Sequence, residues 1–229
     1  MSTGRHRPSE RRIPAAALAV GVAAAIVAAA VGILVLRDGA SVLPGVDGGD
    51  EVPSFEFAVG RATAIPTTEG GRQRFRPQAR AAARTAAHVL SDLYAAAFLD
   101  PANWRAGRYD SAWELFDGAA QEAARRDADV LTVGPSLGAG LERIEPRRGR
   151  LSVKVLVDEH GRPLTIVGIV RFSATAEGKD GTVRELVSAG QYFLRRIDGA
   201  WRVYSYDVVR EDGAREAATA TATPTGSEP

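Results

Sequence analysis

The chain has no cysteine among its 229 residues, so it forms neither disulfide bridges nor thiolate metal sites and has no thiol nucleophile. Histidine is scarce, at positions 6, 88 and 160 only. An excess of one charge is also lacking, because 29 lysines and arginines balance 28 aspartates and glutamates. A net charge of +1 supplies no field that would attract nucleic acid. We therefore expect no nucleic-acid partner, no metal and no cofactor.

One long apolar run, residues 13–36, carries no charged side chain. As a helix it would extend about 36 Å, enough to cross a hydrocarbon core of about 30 Å. Arginines predominate before the run and acidic residues after it, an asymmetry that keeps the N-terminal tail in the cytoplasm. A cleaved secretory signal is the alternative, but its apolar region would be shorter and followed by a small-residue cleavage site. The sequence thus predicts a single-pass protein of the cell membrane, with a cytoplasmic tail over 1–12, a transmembrane helix over 13–36 and the C-terminal domain outside.

Two segments bound the globular part of the chain. Residues 37–76 are rich in glycine and proline and are interpreted as a juxtamembrane linker, in which Phe55, Phe57 and Val59 alternate as in a short strand. Residues 211–229 have no large apolar side chain, so we expect a disordered tail. One domain therefore remains, over 77–210.

The first half of that domain has the periodicity of helices. Pro77 suits a first helical position, and Asp100-Pro101 ends the helix. The pattern Ser111–Glu114 fits a capping box, and the run GAAQEAARRD predicts a further short helix. The apolar stripe of the first helix consists of Ala83, Ala86, Ala87, Leu90, Leu93, Tyr94, Ala97 and Phe98.

The second half has an apolar period of two. Two-residue turns at His160-Gly161, Lys179-Asp180 and Asp198-Gly199 predict an antiparallel meander and set its register. The paired positions are Val155 with Ile166, Val170 with Ala189, Phe172 with Val187, and Phe193 with both Ile166 and Tyr204. These residues share one face, which we predict to be the core face under the helical stripe.

The opposite face gathers a second apolar group on the last strands. A bare patch of that size would be unusual on a monomer, so a partner protein, or the segment from Phe55 to Val59, should cover it. The predicted partner surface consists of Tyr192, Leu194, Trp201 and Val203.

The order of helices followed by a meander that closes on GAWRVYSYDV resembles the cystatin-like superfamily, which includes nuclear transport factor two and ketosteroid isomerase. With the single span and the outside domain, the layout is similar to the Mce-associated membrane proteins of actinobacteria and to the assembly protein of type IV secretion systems. The resemblance implies an α+β fold in which helices pack on a strongly bent antiparallel sheet that forms a cone.

Enzymes of that superfamily place a carboxylate and a hydrogen-bonding side chain inside the cone. Here the polar candidates for such a pocket are Gln191, Tyr204 and Tyr206, and no carboxylate joins them, so we do not expect an enzyme. The favoured function is a noncatalytic, membrane-tethered domain that contacts envelope proteins or itself in a transport or secretion complex. The alternative is a binder of a small apolar ligand, such as a lipid or sterol, in the cone.

Overall fold

In the computed structural model, which describes residues 52–68 and 71–214, helices pack on one face of a five-stranded sheet. This arrangement confirms the α+β class. The predicted cytoplasmic tail and transmembrane helix, and residues 215–229, lie outside the described residues. Within the two described ranges no helix is both long and apolar enough to cross a membrane.

The elements follow one another in a simple order along the chain. They are β1 (Ala58–Pro66), α1 (Arg76–Tyr94) with a π-helical turn (Ala95–Leu99), α2 (Pro101–Ala106), α3 (Asp110–Trp113), α4 (Gly118–Arg126), α5 (Ala128–Leu131), α6 (Pro135–Gly138), β2 (Leu141–Val157), β3 (Pro163–Gly178), β4 (Val183–Ile197) and β5 (Ala200–Ala214).

Helix α1 supplies most of the helical side of the core. Proline stands in its first turn, and every residue of the predicted stripe is buried, as expected. Half of the stripe is alanine, whose small side chain lets the helix backbone approach the sheet closely. After the π-helical turn, the Asp100 carboxylate accepts the Ala102 N–H at 2.9 Å and begins α2, so the predicted stop is confirmed.

Two shorter helices differ in how they begin. Asp117 caps α4, because its carboxylate accepts the Ala120 N–H at 3.1 Å. The predicted capping box at Ser111 does not form: α3 begins after Tyr109, and no side chain caps it.

Strand β1 corrects both the linker and the domain boundary. It lies inside the predicted linker 37–76, yet it pairs in parallel with β2, and Phe57 just before it is 2% exposed. The alternation of Phe55 and Phe57 therefore marked part of the domain. At the other end, β5 runs to Ala214, so the first residues of the predicted tail belong to a strand.

The meander itself forms, in the sheet order β1-β2-β3-β4-β5, but two of its turns differ from the prediction. At His160-Gly161 the Asp158 N–H donates to the Arg162 carbonyl at 3.0 Å, so the loop has three residues where two were expected, and a bulge near Val157 restores the register.

The middle turn is also longer than predicted. The Gly178 N–H donates to the Thr182 carbonyl at 2.8 Å, which leaves three loop residues where two were expected. The third, Gly181, has φ of 78°, a left-handed conformation that glycine adopts without steric cost. A three-residue loop of this kind shifts the register by one residue.

That shift turns all of β4 over. Phe172 pairs with Ser188 and Val170 with Gly190, whereas Val187 and Ala189 were expected opposite them. The predicted pairing of Val155 with Ile166 is confirmed, so β2 and β3 present the expected faces.

Strand β5 contains a bulge that reverses its alternation partway along. Asp198-Gly199 forms the predicted two-residue turn, with φ of 49° and 84°, so Ile197 pairs with Ala200. Tyr204 is then an extra residue, because Leu194 pairs with Val203 while Phe193 pairs with Ser205. As a result Val203 and Tyr206 both face the helices, on either side of the bulge.

Candidate functional site

Three of the four predicted contact residues lie in the core. Tyr192, Leu194 and Val203 are each at most 1% exposed, and Trp201 is half-buried against the same core. The prediction that these residues form an exposed partner surface is therefore wrong. Its physical cause is the extra loop residue before β4, which exchanged the two faces of that strand.

The three predicted pocket residues do not come together. Tyr206 packs against the core, and its hydroxyl donates to the Asp127 carboxylate at 2.7 Å. Tyr204 lies on the opposite face of the sheet, 6.3 Å from the Phe193 ring and 5.1 Å from the Arg195 guanidinium. Gln191 also lies on that opposite face, paired with Asp207. The predicted pocket is therefore wrong as a grouping.

Aromatic side chains fill the space between α1 and the sheet. Tyr94 is at the centre, with neighbouring ring centroids between 4.9 and 6.1 Å away. The rings around it are Phe57, Phe98, Phe172 and Tyr192, and Phe55 packs beyond them on Phe57 and Phe172. The part of the interior where a cone would hold a ligand is thus occupied by the protein itself.

The hydroxyls of this cluster hydrogen-bond to one another. The Tyr94 and Ser188 hydroxyls are 2.9 Å apart, and the Tyr192 hydroxyl donates to that of Tyr94 at 3.4 Å. Burial raises the pKa of Tyr94 to about 12, and burial together with the neighbouring Tyr94 raises the pKa of Tyr192 well above its ordinary value. Both tyrosines are therefore neutral at physiological pH. The hydroxyls satisfy each other in the core and supply no general base.

One carboxylate is buried among the described residues, and its oxygens are already engaged. Asp117 caps α4 through one oxygen and accepts an Arg195 N–H at 2.6 Å through the other. The Asp117 N–H donates to the Val203 carbonyl at 2.9 Å, which joins the start of α4 to β5. These contacts indicate that Asp117 has a structural role.

Metal-ligating groups are equally unpromising. His88 and Asp92 are 3.6 Å apart on an exposed side of α1. Over residues 52–68 and 71–214 no group of three histidine, aspartate or glutamate side chains could hold a metal ion.

The face of the sheet turned away from the helices is the remaining candidate, and we call it the outer sheet face. Its centre is apolar, formed by Val167 and Ile169 of β3 and by Ala189 and Phe193 of β4. Toward one edge Val209 of β5 is 58% exposed. The helices pack on the opposite face, so no described helix covers this apolar centre.

Charged side chains of opposite sign flank that centre. On β2 the outward residues Arg148, Arg150 and Lys154 form a basic row. On β5 the outward residues Asp207 and Glu211 form an acidic row. None of these five side chains forms an ion pair with another described residue.

The basic row is reinforced from the neighbouring strand. Arg171 of β3 stands directly opposite Arg150, and like charges in that position destabilise a sheet. An open groove of about 550 Å³ runs beside them between Arg148 and Val187. The alternation of charges along β2 and β5 is visible in the sequence, but only the true register shows that the two rows share a face.

No family model, no curated protein and no solved structure matches the chain.

Proposed function

We propose that this protein is a noncatalytic, membrane-tethered domain outside the cell membrane, and that it acts as a protein-binding or scaffold component of a transport or secretion complex of the envelope. The observation that carries the proposal is the outer sheet face, where an apolar centre that no described helix covers lies between two rows of charge that form no ion pair within the described residues. An apolar centre with a polar rim is the usual anatomy of a protein interface.

The absence of catalysis is inferred from the interior of the described domain. Its buried polar side chains are Ser91, Asp117, Thr132 and Ser188. Asp117 is engaged by a helix N-terminus and an arginine, and Ser188 by the hydroxyl of Tyr94. A ligand-binding cone is the less favoured function, because the aromatic cluster around Tyr94 occupies the space that a lipid or sterol would need.

A cystatin-like fold with a strongly bent sheet belongs to the same proposal. Two glycines allow the close approaches that such a bend requires. A Cβ at Gly168 would lie 2.7 Å from the Leu90 side chain of α1, and one at Gly190 would lie 2.2 Å from the Asp207 carbonyl oxygen of β5. The resemblance to Mce-associated membrane proteins rests on this pattern together with the predicted helix over 13–36.

The orientation is tested by adding protease outside intact cells that produce the full chain. We expect residues 77–210 to be degraded and the anchor to survive. Protection of that region until the membrane is permeabilised would contradict the proposed location.

The contact surface is tested by photo-crosslinking of the full chain in its own membrane. A photoreactive residue in place of Val209 should give protein adducts of discrete mass. The matched control is Val130 on α5, which is also exposed but lies away from the outer sheet face. If Val209 gives no adduct, or gives the same adducts as Val130, the outer sheet face is not a binding surface.

A further inference from the structure

The two charged rows of the outer sheet face lie at matching levels of the sheet. Cross-strand pairing places one set of residues in line, namely Arg148, Ser173, Val187 and Glu211. Two residues further along each strand lies a second line, which consists of Arg150, Arg171, Ala189 and Val209. A third line lies two residues beyond the second and consists of Ser152, Ile169, Gln191 and Asp207. Arg148 therefore stands at the level of Glu211, and the level of Asp207 lies between those of Arg150 and Lys154.

This pattern distinguishes the two ways in which a sheet can pack on its own copy. In a dimer with a two-fold axis parallel to the strands, β2 of one copy lies over β5 of the other and each residue keeps its level. A two-fold axis that crosses the strands instead places β2 over β2, so the basic rows repel each other. Only the first arrangement brings opposite charges together.

We propose that the occupant of the outer sheet face is a second copy of this chain, packed about a two-fold axis parallel to the strands. The proposal rests on the proposed function and names its partner. Arg148 of each copy faces Glu211 of the other, and Arg150 and Lys154 flank Asp207 of the other. Both contacts occur twice, as in any isologous interface.

The apolar centre fits the same arrangement. With β4 of one copy over β3 of the other, Phe193 packs on Val167 of the second copy, and Gln191 faces Ile169. Aligned sheets cross at about 30°, which keeps these levels close to one another near the axis. The apolar centre is thus covered by itself, with the charged rows at its rim.

The area is sufficient for a specific contact. Four strands about 4.8 Å apart and five levels about 6.8 Å apart give a face of roughly 650 Å² per copy. Twice that area falls at the lower end of the range for stable protein interfaces, about 1,200–2,000 Å².

The test exchanges the charges of the two rows in the full chain, purified in a nonionic detergent. One variant carries Arg148→Glu and Arg150→Glu, which leaves Lys154 as the only basic residue of its row. The other carries Asp207→Lys and Glu211→Lys, which makes both rows basic. We expect each variant alone to self-associate at least about tenfold more weakly than the unaltered chain in sedimentation equilibrium, because the rim contacts at the altered residues become repulsive. An equimolar mixture should recover most of the association, since the new glutamates of one variant then face the new lysines of the other.

The matched control reverses two charges elsewhere. Arg80→Glu with Arg84→Glu makes the same change of net charge as the first variant, on an exposed side of α1, and should leave association unchanged. Unfolding temperatures of all variants establish that each remains folded.

A second measurement does not depend on charge reversal. Because the chain has no cysteine, Gln191→Cys introduces a single thiol, and the two copies of this residue lie about 10 Å apart across the axis. A short bismaleimide should join them, whereas His88→Cys on α1 should give no such dimer.

The outcomes are distinct. Association that is absent, that is insensitive to both variants, or that is not restored in the mixture overturns the two-fold dimer. Adducts of other proteins at Val209 without a self-adduct also overturn it, but they leave the proposed function standing. Absence of every adduct and of self-association removes both.

Discussion

The replacement of two neighbouring residues of β4 tests which face of that strand is buried. Phe193 has the larger apolar side chain, so side-chain size alone predicts that Phe193→Ala costs more stability than Leu194→Ala. The structure predicts the opposite order. Leu194 is 0% exposed and belongs to the buried core, whereas Phe193 is half-buried on the outer sheet face.

The magnitudes follow from burial. Leu194→Ala leaves a cavity in a closed core and should cost about 2–5 kcal/mol of the free energy of unfolding. Phe193→Ala loses part of a ring contact with Tyr204, whose centroid is 6.3 Å away, and should cost about 1 kcal/mol. For a domain of this size each kcal/mol lowers the unfolding temperature by about 2–4 °C.

The assay is thermal unfolding of the full chain in nonionic detergent, followed by near-ultraviolet circular dichroism at a protein concentration low enough to keep the chain monomeric. We expect Leu194→Ala to lower the midpoint by roughly 5–15 °C. If Phe193→Ala lowers it as much as Leu194→Ala or more, the register of β4 is wrong, and the outer sheet face loses its definition.

Three further predictions concern single residues. The pKa of Tyr94 is raised from its ordinary value of 10.0 to about 12, so its contribution to stability is complete below pH 10 and is lost as pH rises toward about 12. Between those pH values Tyr94→Phe should make the free energy of unfolding, measured with denaturant, depend less steeply on pH, by up to about 1.4 kcal/mol per pH unit. Gly181→Ala should cost about 1 kcal/mol through its left-handed backbone alone, whereas Gly118→Ala, where nothing lies within 4 Å of an added Cβ, should be neutral or slightly stabilising; equal midpoints would contradict this. Asp117→Ala should cost about 1–2 kcal/mol by removing the cap of α4, and Asp117→Asn, which keeps an acceptor but not the charge toward Arg195, should cost less in the same chemical denaturation.

Helix α1 shows what the sequence could predict. Its stripe repeats over about four turns, so an error at one position does not displace the rest, and proline and aspartate mark its ends. The faces of β2 and β3 were also predicted correctly, although the length of the turn between them was not. The loop after Asp158 has three residues rather than two, but a bulge near Val157 restores the expected pairing of Val155 with Ile166.

Strand β4 shows where prediction failed. The sequence EGKDGTV accommodates a turn of two or of three loop residues, and the difference of one residue decides whether Tyr192 or Phe193 enters the core. Alternation did not reveal the error because both faces of β4 are apolar near that point. The position of Tyr192 is determined only by tertiary contacts, because its hydroxyl donates to the Tyr94 hydroxyl, which itself hydrogen-bonds with Ser188 in the core.

The two charged rows of the outer sheet face could not be predicted for the same reason. A row on β2 and a row on β5 form one pattern only when the two intervening strands are in the correct register. The sequence predicts a strand near β1, because Phe55 and Phe57 alternate with other residues. It does not predict the pairing with β2, because a parallel partner far along the chain leaves no local signal.

The parallel pairing of β1 with β2 has a consequence for the order of folding. Ala58 pairs with Arg150, roughly ninety residues later, whereas the other strand pairs join neighbours through short turns, so the loop-closure entropy delays β1 relative to the meander. Until β1 docks, β2 is a sheet edge with unpaired backbone groups, the kind of edge on which chains aggregate. Arg150 and Lys154 point outward from that strand and discourage another strand from adding to it. We therefore expect Phe57 to insert beside Tyr94 after the meander has formed, which would close the edge and the core together.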